Sequence, residues 1–316
     1  MKAEPDDSLT ADRPSRFRKA KRLIRLLALG GLFLAWAGVL CRRADSWVLP
    51  AMIYYATPWL LRLLAGLLAV CVIKHWGLRL MAATCIFVSA LEGWHSFQLA
   101  SPPPTLATSL QAAIYNSGRG LESHPKAWPV LAETDITAVV ESGDFTDDKW
   151  REFTAATPGM TWQQFGGTML GVRGQILSHE SLGEEDLYKC YRCRISLPQH
   201  GEFTVIVVDI RSQPWLSRAK AMTRIFAAAK DDPKAIVLGD FNTPPESKWC
   251  RDWYGTLSLA NNSPHRGFRE TWAFGLPLLT LDQIWYGKGW TANWTEHSRH
   301  GSDHSRVKAY LLDSAD

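Results

Sequence analysis

The chain has 316 residues and a formal net charge of +4, long enough for two ordinary domains. Up to Ser101 there are 13 Lys/Arg against 6 Asp/Glu, and from Pro102 onward 22 against 25, so the basic character belongs to the N-terminal part. The C-terminal part lacks the broad positive footprint of sequence-independent nucleic-acid binders. Nucleic acid therefore stays open as a partner but is not favoured by charge.

Residues 1–22 read as a basic cytoplasmic tail and residues 23–98 as a transmembrane region of about three helices. The first run, 26–41, carries no charge; with Leu23 and a snorkelling Arg25 it approaches the roughly 20 residues that cross a bilayer. The second, 47–73, contains Pro50, Pro58 and Arg62, so its helix begins near Pro58 or kinks there. The third, 80–91, needs its flanks out to 76–98. Three apolar runs in succession exceed what a signal segment supplies. Seven basic residues lie between Arg13 and Arg25, against Arg42 and Arg43 after the first run and Lys74 and Arg79 after the second. The excess places the N-terminus in the cytoplasm, and three crossings place everything after Ser101 outside it. The lipid bilayer is thus an expected partner. Residues 99–110, with three consecutive prolines, read as a stiff linker.

Residues 111–316 suffice for one sizeable core. Apolar, β-branched runs at 136–140, 203–208 and 235–238 have strand length, and 216–229 reads as a helix between two of them. This is α/β patterning. The strand at 235–238 ends in Gly239-Asp240-Phe241-Asn242, where a carboxylate and a carboxamide two apart can face one cleft. Asp282 sits inside the apolar segment Leu281-Asp282-Gln283-Ile284-Trp285, and an acid there is costly to bury unless paired. His304, in Ser302-Asp303-His304, is its candidate partner. Cys190 and Cys193 are i and i+3 on a strand and point to opposite faces, so they read as structural, with a disulfide open to them if the domain is extracytoplasmic. Of His297, His300 and His304, the first two are expected on an exposed loop.

GDFN, LDQIW and SDH, in this order, resemble the C-terminal signature of the endonuclease/exonuclease/phosphatase superfamily, which includes deoxyribonuclease I, abasic-site endonucleases, inositol-polyphosphate phosphatases and neutral sphingomyelinases. Upstream, Tyr115-Asn116-Ser117-Gly118-Arg119-Gly120 resembles the family's first-strand asparagine motif, and 135–141 the strand that ends in its metal-binding glutamate, Glu141. The resemblance runs from about residue 112 to 311. It implies a four-layer α/β sandwich, two packed mixed β-sheets flanked by helices, behind the transmembrane region. It further implies a metal-dependent phosphoesterase that uses Mg²⁺, or Mn²⁺ in its place, on a phosphate-ester substrate of unknown class.

Carried over by motif, Glu141 and Asp303 are metal ligands, Asp240 orients or deprotonates the attacking water, Asn242 and Asn116 hold phosphate and water in line, and Asp282 orients His304. One position departs from the family pattern. Arg211 stands where many members have a histidine, and its guanidinium can bind phosphate but cannot act as a general acid. Two other readings compete: a nuclease acting on extracytoplasmic nucleic acid, and a catalytically silent module that binds a phosphate ligand. Loops 177–186 and 244–262 are expected to set substrate choice.

Overall fold

The computed structural model describes residues 13–42, 44–103, 109–118, 120–184 and 187–314. Most of the basic tail up to Asp12, Arg43, the 104–108 part of the Pro-rich linker, and Arg119 of the asparagine motif lie outside the described residues.

Four helices come first: α1 (Arg13–Cys41), α2 (Val48–Ala56), α3 (Trp59–Val72) and α4 (Trp76–Ser96). The break before Pro58 is real, with α2 and α3 meeting at 69°. Proline removes a backbone donor and pushes the residue before it out of the helical region, so the helix stops at Ala56 and restarts at Trp59. From Phe17 to Cys41, α1 is long and apolar enough to cross a membrane; the bent α2–α3 pair passes the same test only if taken as one span. Leu32 and Ala35 of α1, Ala69 of α3 and Ala82 and Cys85 of α4 form the apolar centre of this bundle.

The chain continues through β1 (Phe97–Leu99), β2 (Leu110–Asn116), α5 (Trp128–Leu131), β3 (Ile136–Val140), α6 (Asp147–Ala156), β4 (Thr161–Phe165), β5 (Thr168–Val172), β6 (Gln175–Ser181) and β7 (Tyr188–Leu197). It ends with β8 (Gly201–Ile210), α7 (Ala219–Ala229), β9 (Ile236–Asp240), β10 (Leu257–Leu259), β11 (Arg266–Phe268), β12 (Asp282–Gly287), β13 (Trp290–Ser298) and β14 (Arg306–Asp313). Two six-stranded sheets result, in the orders β13-β14-β2-β3-β5-β4 and β10-β12-β9-β8-β7-β6. Each is mixed: β2–β3 and β8–β9 run parallel, and their other neighbours antiparallel.

Alternation explains the layers. On β8, Phe203, Val205 and Val207 enter the core between the sheets, while Ile206, Val208 and Ile210 pack outward under α7. Both faces are buried, so the strand reads as a continuous apolar run rather than an alternating one. On the other sheet, Tyr115, Val139 and Met169 face outward with Trp128 of α5 and Phe153 of α6. These are the two packed mixed sheets flanked by helices. At Gly239 a Cβ would lie 1.8 Å from the Val208 carbonyl oxygen, so β8 and β9 can lie at this separation only with glycine there.

The helical region is not set apart from the sandwich. β1 pairs antiparallel with β11. Trp59 Nε1 donates to Glu270 Oε1 at 2.9 Å, and the Ser96 hydroxyl donates to the other Glu270 oxygen. The Lys248 amide donates to Asp45 Oδ1 at 3.0 Å.

Candidate active site

The directions of the strands bring the polar motifs to one end of both sheets. β2, β3, β8 and β9 finish there, while β12, antiparallel to β9, and β14, antiparallel to β2, begin there. Asn116 therefore closes β2, Glu141 follows β3, Asp240 closes β9, Asp282 opens β12, and Asp303 and His304 precede β14. Asp240 stands in register with Asp282 on one side and with Asp209 on the other, a row of three carboxylates across neighbouring strands.

Asn116, fully buried, ties the two sheets together. Its Nδ2 donates to Asp240 Oδ2 at 2.9 Å and to Glu141 Oε1 at 3.3 Å, while its Oδ1 accepts the Gly118 amide at 2.9 Å. Asp240 also accepts from Asn242, the backbone amide reaching Oδ1 at 2.8 Å and Nδ2 reaching Oδ2 at 3.1 Å. Glu141 and Asn242 adopt φ of 52° and 44°, a left-handed backbone that non-glycine residues seldom take and that costs on the order of 1 kcal/mol or more each. The turns are held from outside: Ser117 Oγ donates to the Glu141 carbonyl at 2.8 Å, and Asn242 Nδ2 donates to the Ile210 carbonyl at 2.8 Å.

His304 Nδ1 and Asp282 Oδ2 lie 2.7 Å apart, both buried. Asp282 is fixed in turn at its backbone, where the Thr271 hydroxyl accepts the amides of Leu281 and Asp282 at 3.0 Å each. Burial opposes a charge on His304, but the adjoining Asp282 outweighs it, with Asp240 and Asp303 adding to the effect, and the imidazole is raised to about 10. Asp240 is also raised above its ordinary carboxylate value, which here favours its neutral form. Burial and the negative charge of Asp282 raise it to about 7, partly offset by His304 and the Asn242 amide. Burial and Glu141 likewise raise Asp209 to about 6. Asp303 is oriented by Trp272, whose Nε1 donates to Oδ2 at 3.2 Å.

These groups line one cleft of about 500 Å³: Glu141, Asp240, Asn242, Asp303 and His304 form its polar wall, and Met52, Tyr55 and Ala56 of α2 face them. Arg211, exposed just beyond β8, is not in that lining. It lies in an adjoining basin with Lys189 and Asp209 that shares Glu141 and Asn242 with the cleft.

Oxygen donors of this kind suit a hard divalent cation. Space is kept beside Asp303 by Gly118, where a Cβ would stand 3.1 Å from Asp303 Oδ1 and 3.3 Å from Ser302 Oγ. Asp240, Asp282 and His304 also present ligand atoms within 4.8 Å of one another. The hydrogen bond between His304 Nδ1 and Asp282 Oδ2 already engages two of those groups with each other.

Several sequence expectations need correction. His297 lies within β13 rather than on an exposed loop; its ring nitrogens are buried, 5.8 Å separates its ring from that of His265, and burial lowers it to about 3. His300 is held as well, its carbonyl accepting the Tyr115 hydroxyl at 2.8 Å. All six cysteines are free thiols, and Cys190 and Cys193 do enter different cores on opposite faces of β7. Half of the 177–186 segment is the edge strand β6, and among the described residues neither this segment nor 244–262 lines the cleft.

The residues that sequence reasoning missed are Trp272, Thr271, Met52, Tyr55 and Arg218. Arg218 is buried, and its Nη2 reaches the Asn242 carbonyl at 3.4 Å. None carries a local motif, because each arrives through packing between distant segments.

No curated protein gives a significant match to the sequence. Among solved structures, a conserved protein of unknown function from Enterococcus faecalis V583 superposes with a TM-score of 0.53 at 17% identity, over 65% of this chain and 100% of that one. An endonuclease/exonuclease/phosphatase from Bacteroides vulgatus superposes with a TM-score of 0.51 at 14% identity, over 66% and 100%. At such identities these likenesses speak to the fold alone. The sequence model of the Endonuclease/Exonuclease/phosphatase family matches residues 113–304, well over half of the chain and the whole stretch from Asn116 to His304, and the chain belongs to that family.

Proposed function

We propose that the chain is a membrane-anchored phosphoesterase that hydrolyses a phosphate monoester or diester with Mg²⁺, or Mn²⁺ in its place. The observation that carries this reading is Asn116, whose one amide group bridges Glu141 and Asp240 across the two sheets. That bridge places a half-buried carboxylate suited to a cation next to a buried one suited to a proton.

Glu141, with Asp303 beside Gly118, holds the cation, which when bound polarises the phosphoryl oxygens and neutralises charge that develops on them. Asp240 orients the attacking water and takes its proton. Asn116 and Asn242 keep Asp240 aimed, since both donate to its oxygens. His304, with Nδ1 engaged by Asp282, is left with Nε2 to donate to a phosphate oxygen, and its positive charge persists through the neutral range. The water's oxygen bonds to phosphorus, the ester P–O bond breaks, and the departing alkoxide is protonated by solvent water, after which Asp240 returns the proton it took to solvent. Arg211 and Lys189, in the adjoining basin, offer positive charge to the part of the substrate that extends past Asn242.

The test is hydrolysis of bis(p-nitrophenyl) phosphate and p-nitrophenyl phosphate by the full-length protein in detergent. EDTA should abolish turnover and added Mg²⁺ restore it. Asp240→Ala should lower kcat by roughly 10²–10⁴-fold. Glu141→Ala should instead raise the Mg²⁺ concentration needed for half-maximal rate. Undiminished turnover by Asp240→Ala would remove this mechanism.

A further inference from the structure

The catalytic residues supply only part of the cleft wall. The facing part is Met52, Tyr55 and Ala56, which belong to α2, within the N-terminal apolar region rather than the sandwich. α2 turns Ala51 and Tyr54 inward and leaves Val48, Leu49 and Met52 exposed, Leu49 at 67%, with Trp47 just ahead of it at 73%. Two loops of the sandwich continue that surface around the cleft. Trp215 follows Pro214 of the lining and is 58% exposed. Phe274 is 69% exposed although its amide donates to the Asp303 carbonyl at 2.8 Å, at the edge of the polar wall. Apolar side chains this large and this exposed, carried by the helix and the loops that also supply or adjoin the cleft's lining, are uncommon on a surface that meets only water.

A water-soluble phosphate ester would gain nothing from such a rim. A polynucleotide would need positive charge along it, and the part of the chain from Pro102 onward has 22 basic against 25 acidic residues. The rim is also continuous with the bundle containing α1, the helix apolar and long enough to cross a membrane. A bilayer that holds α1 therefore presents its interface to α2, where tryptophan and aliphatic side chains partition well.

Resting on the phosphoesterase reading, we infer that the substrate is a membrane amphiphile: its phosphate enters the cleft between Glu141 and His304 while its hydrocarbon chains stay on the apolar rim of α2, Trp215 and Phe274. The reaction is the hydrolysis already described, with water as the only co-reactant, and the diacyl or polyprenyl part remains in the bilayer throughout.

Full-length protein in nonionic detergent micelles tests this with dioleoyl phosphatidic acid, a monoester, and dioleoyl phosphatidylglycerol, a diester. The comparisons are their dihexanoyl counterparts below the concentration at which they form micelles, together with single- and double-stranded DNA. At least one dioleoyl ester should be cleaved with kcat/KM at least tenfold above its dihexanoyl counterpart. Its rate should follow mole fraction in the micelle rather than bulk concentration. Leu49→Asp and Phe274→Asp, both at exposed positions, should each cut the dioleoyl-to-dihexanoyl ratio at least tenfold.

A dihexanoyl ester or DNA cleaved as well as the dioleoyl ester overturns the inference and leaves the phosphoesterase standing, and this comparison needs only the wild type. Rim variants that fold and leave the ratio unchanged overturn it as well. If the wild type cleaves none of these, nor bis(p-nitrophenyl) phosphate, the phosphoesterase reading fails and the inference falls with it.

Discussion

Asp240 and His304 share one buried neighbourhood, and Asp282 sets both. Its negative charge raises the imidazole to about 10 and helps push the Asp240 carboxyl to about 7. For a mechanism that needs Asp240 ionised and His304 protonated, kcat/KM should rise as pH climbs through Asp240's value and fall as it passes His304's. A cation held by Glu141 favours the Asp240 carboxylate, so with Mg²⁺ present the acid limb should sit below 7. Asp282→Asn removes the counter-charge that favours imidazolium, so the alkaline limb should move down toward the ordinary histidine range. A pH–rate series with both proteins checks this; an unmoved alkaline limb would mean that His304 is not the titrating cation. At Arg211, replacement by Ala should cost more than replacement by Lys, because Lys keeps the charge and loses the paired donors. Asn116, Glu141, Asp240, Asn242, Asp282, Asp303 and His304 were legible because each sits in or beside a strand-end motif whose pattern survives in one dimension. Trp272 was not, because its tie to Asp303 depends on a loop folding back across 31 residues.

The elements themselves followed from local signals. β3, β8 and β9 form where β-branched residues cluster, and α2 and α3 separate where Pro58 forces the break. What the pattern could not reveal is the docking of helices on sandwich, since such contacts join residues up to 211 apart. Arg62 is the clearest case. In sequence it is a charge interrupting an apolar run; in the fold it is buried in α3 and paired with Glu92 of α4, which Arg42 also meets at 3.0 Å. Removing the acid strands a buried guanidinium, so Glu92→Ala should cost about 3 kcal/mol or more. For a chain of this size that is a fall in Tm of roughly 4 °C or more by thermal unfolding in detergent. Asp148→Ala, which removes an exposed pair on α6, should leave Tm where it was. Equal shifts would show that the Arg62 pair contributes no more than a surface one.

At the scale of the whole molecule, the contacts between helices and sandwich assign each helix a direction. Asp45, just after α1, receives the Lys248 amide; Trp59, at the start of α3, and Ser96, at the end of α4, both donate to Glu270. The end of α1, the start of α3 and the end of α4 are thus all at the sandwich. A Cβ on Gly38 of α1 would meet Thr57, just ahead of α3, and one on Gly31 would meet Ala65, midway along α3, so α3 runs antiparallel to α1 and the α3–α4 turn lies away from the sandwich. α1 runs toward the sandwich, α3 away from it, and α4 back. If α1 crosses the bilayer and the basic segment ahead of it stays in the cytoplasm, as we propose, this order would put the α3–α4 turn on the cytoplasmic side and the cleft on the other. α3 has 14 residues, about 21 Å, which is short for a crossing, so its turn should lie within reach of the inner interface rather than far beyond it. A reporter active only outside the cytoplasm should therefore work when fused after Asp316. A cysteine placed at Lys74, in a chain whose six native cysteines are replaced, should react with a membrane-impermeant maleimide only once the cytoplasmic face is opened. Labelling of that cysteine in intact cells, or a cytoplasm-only reporter that works after Asp316, would reverse the orientation and place the substrate's headgroup in the inner leaflet.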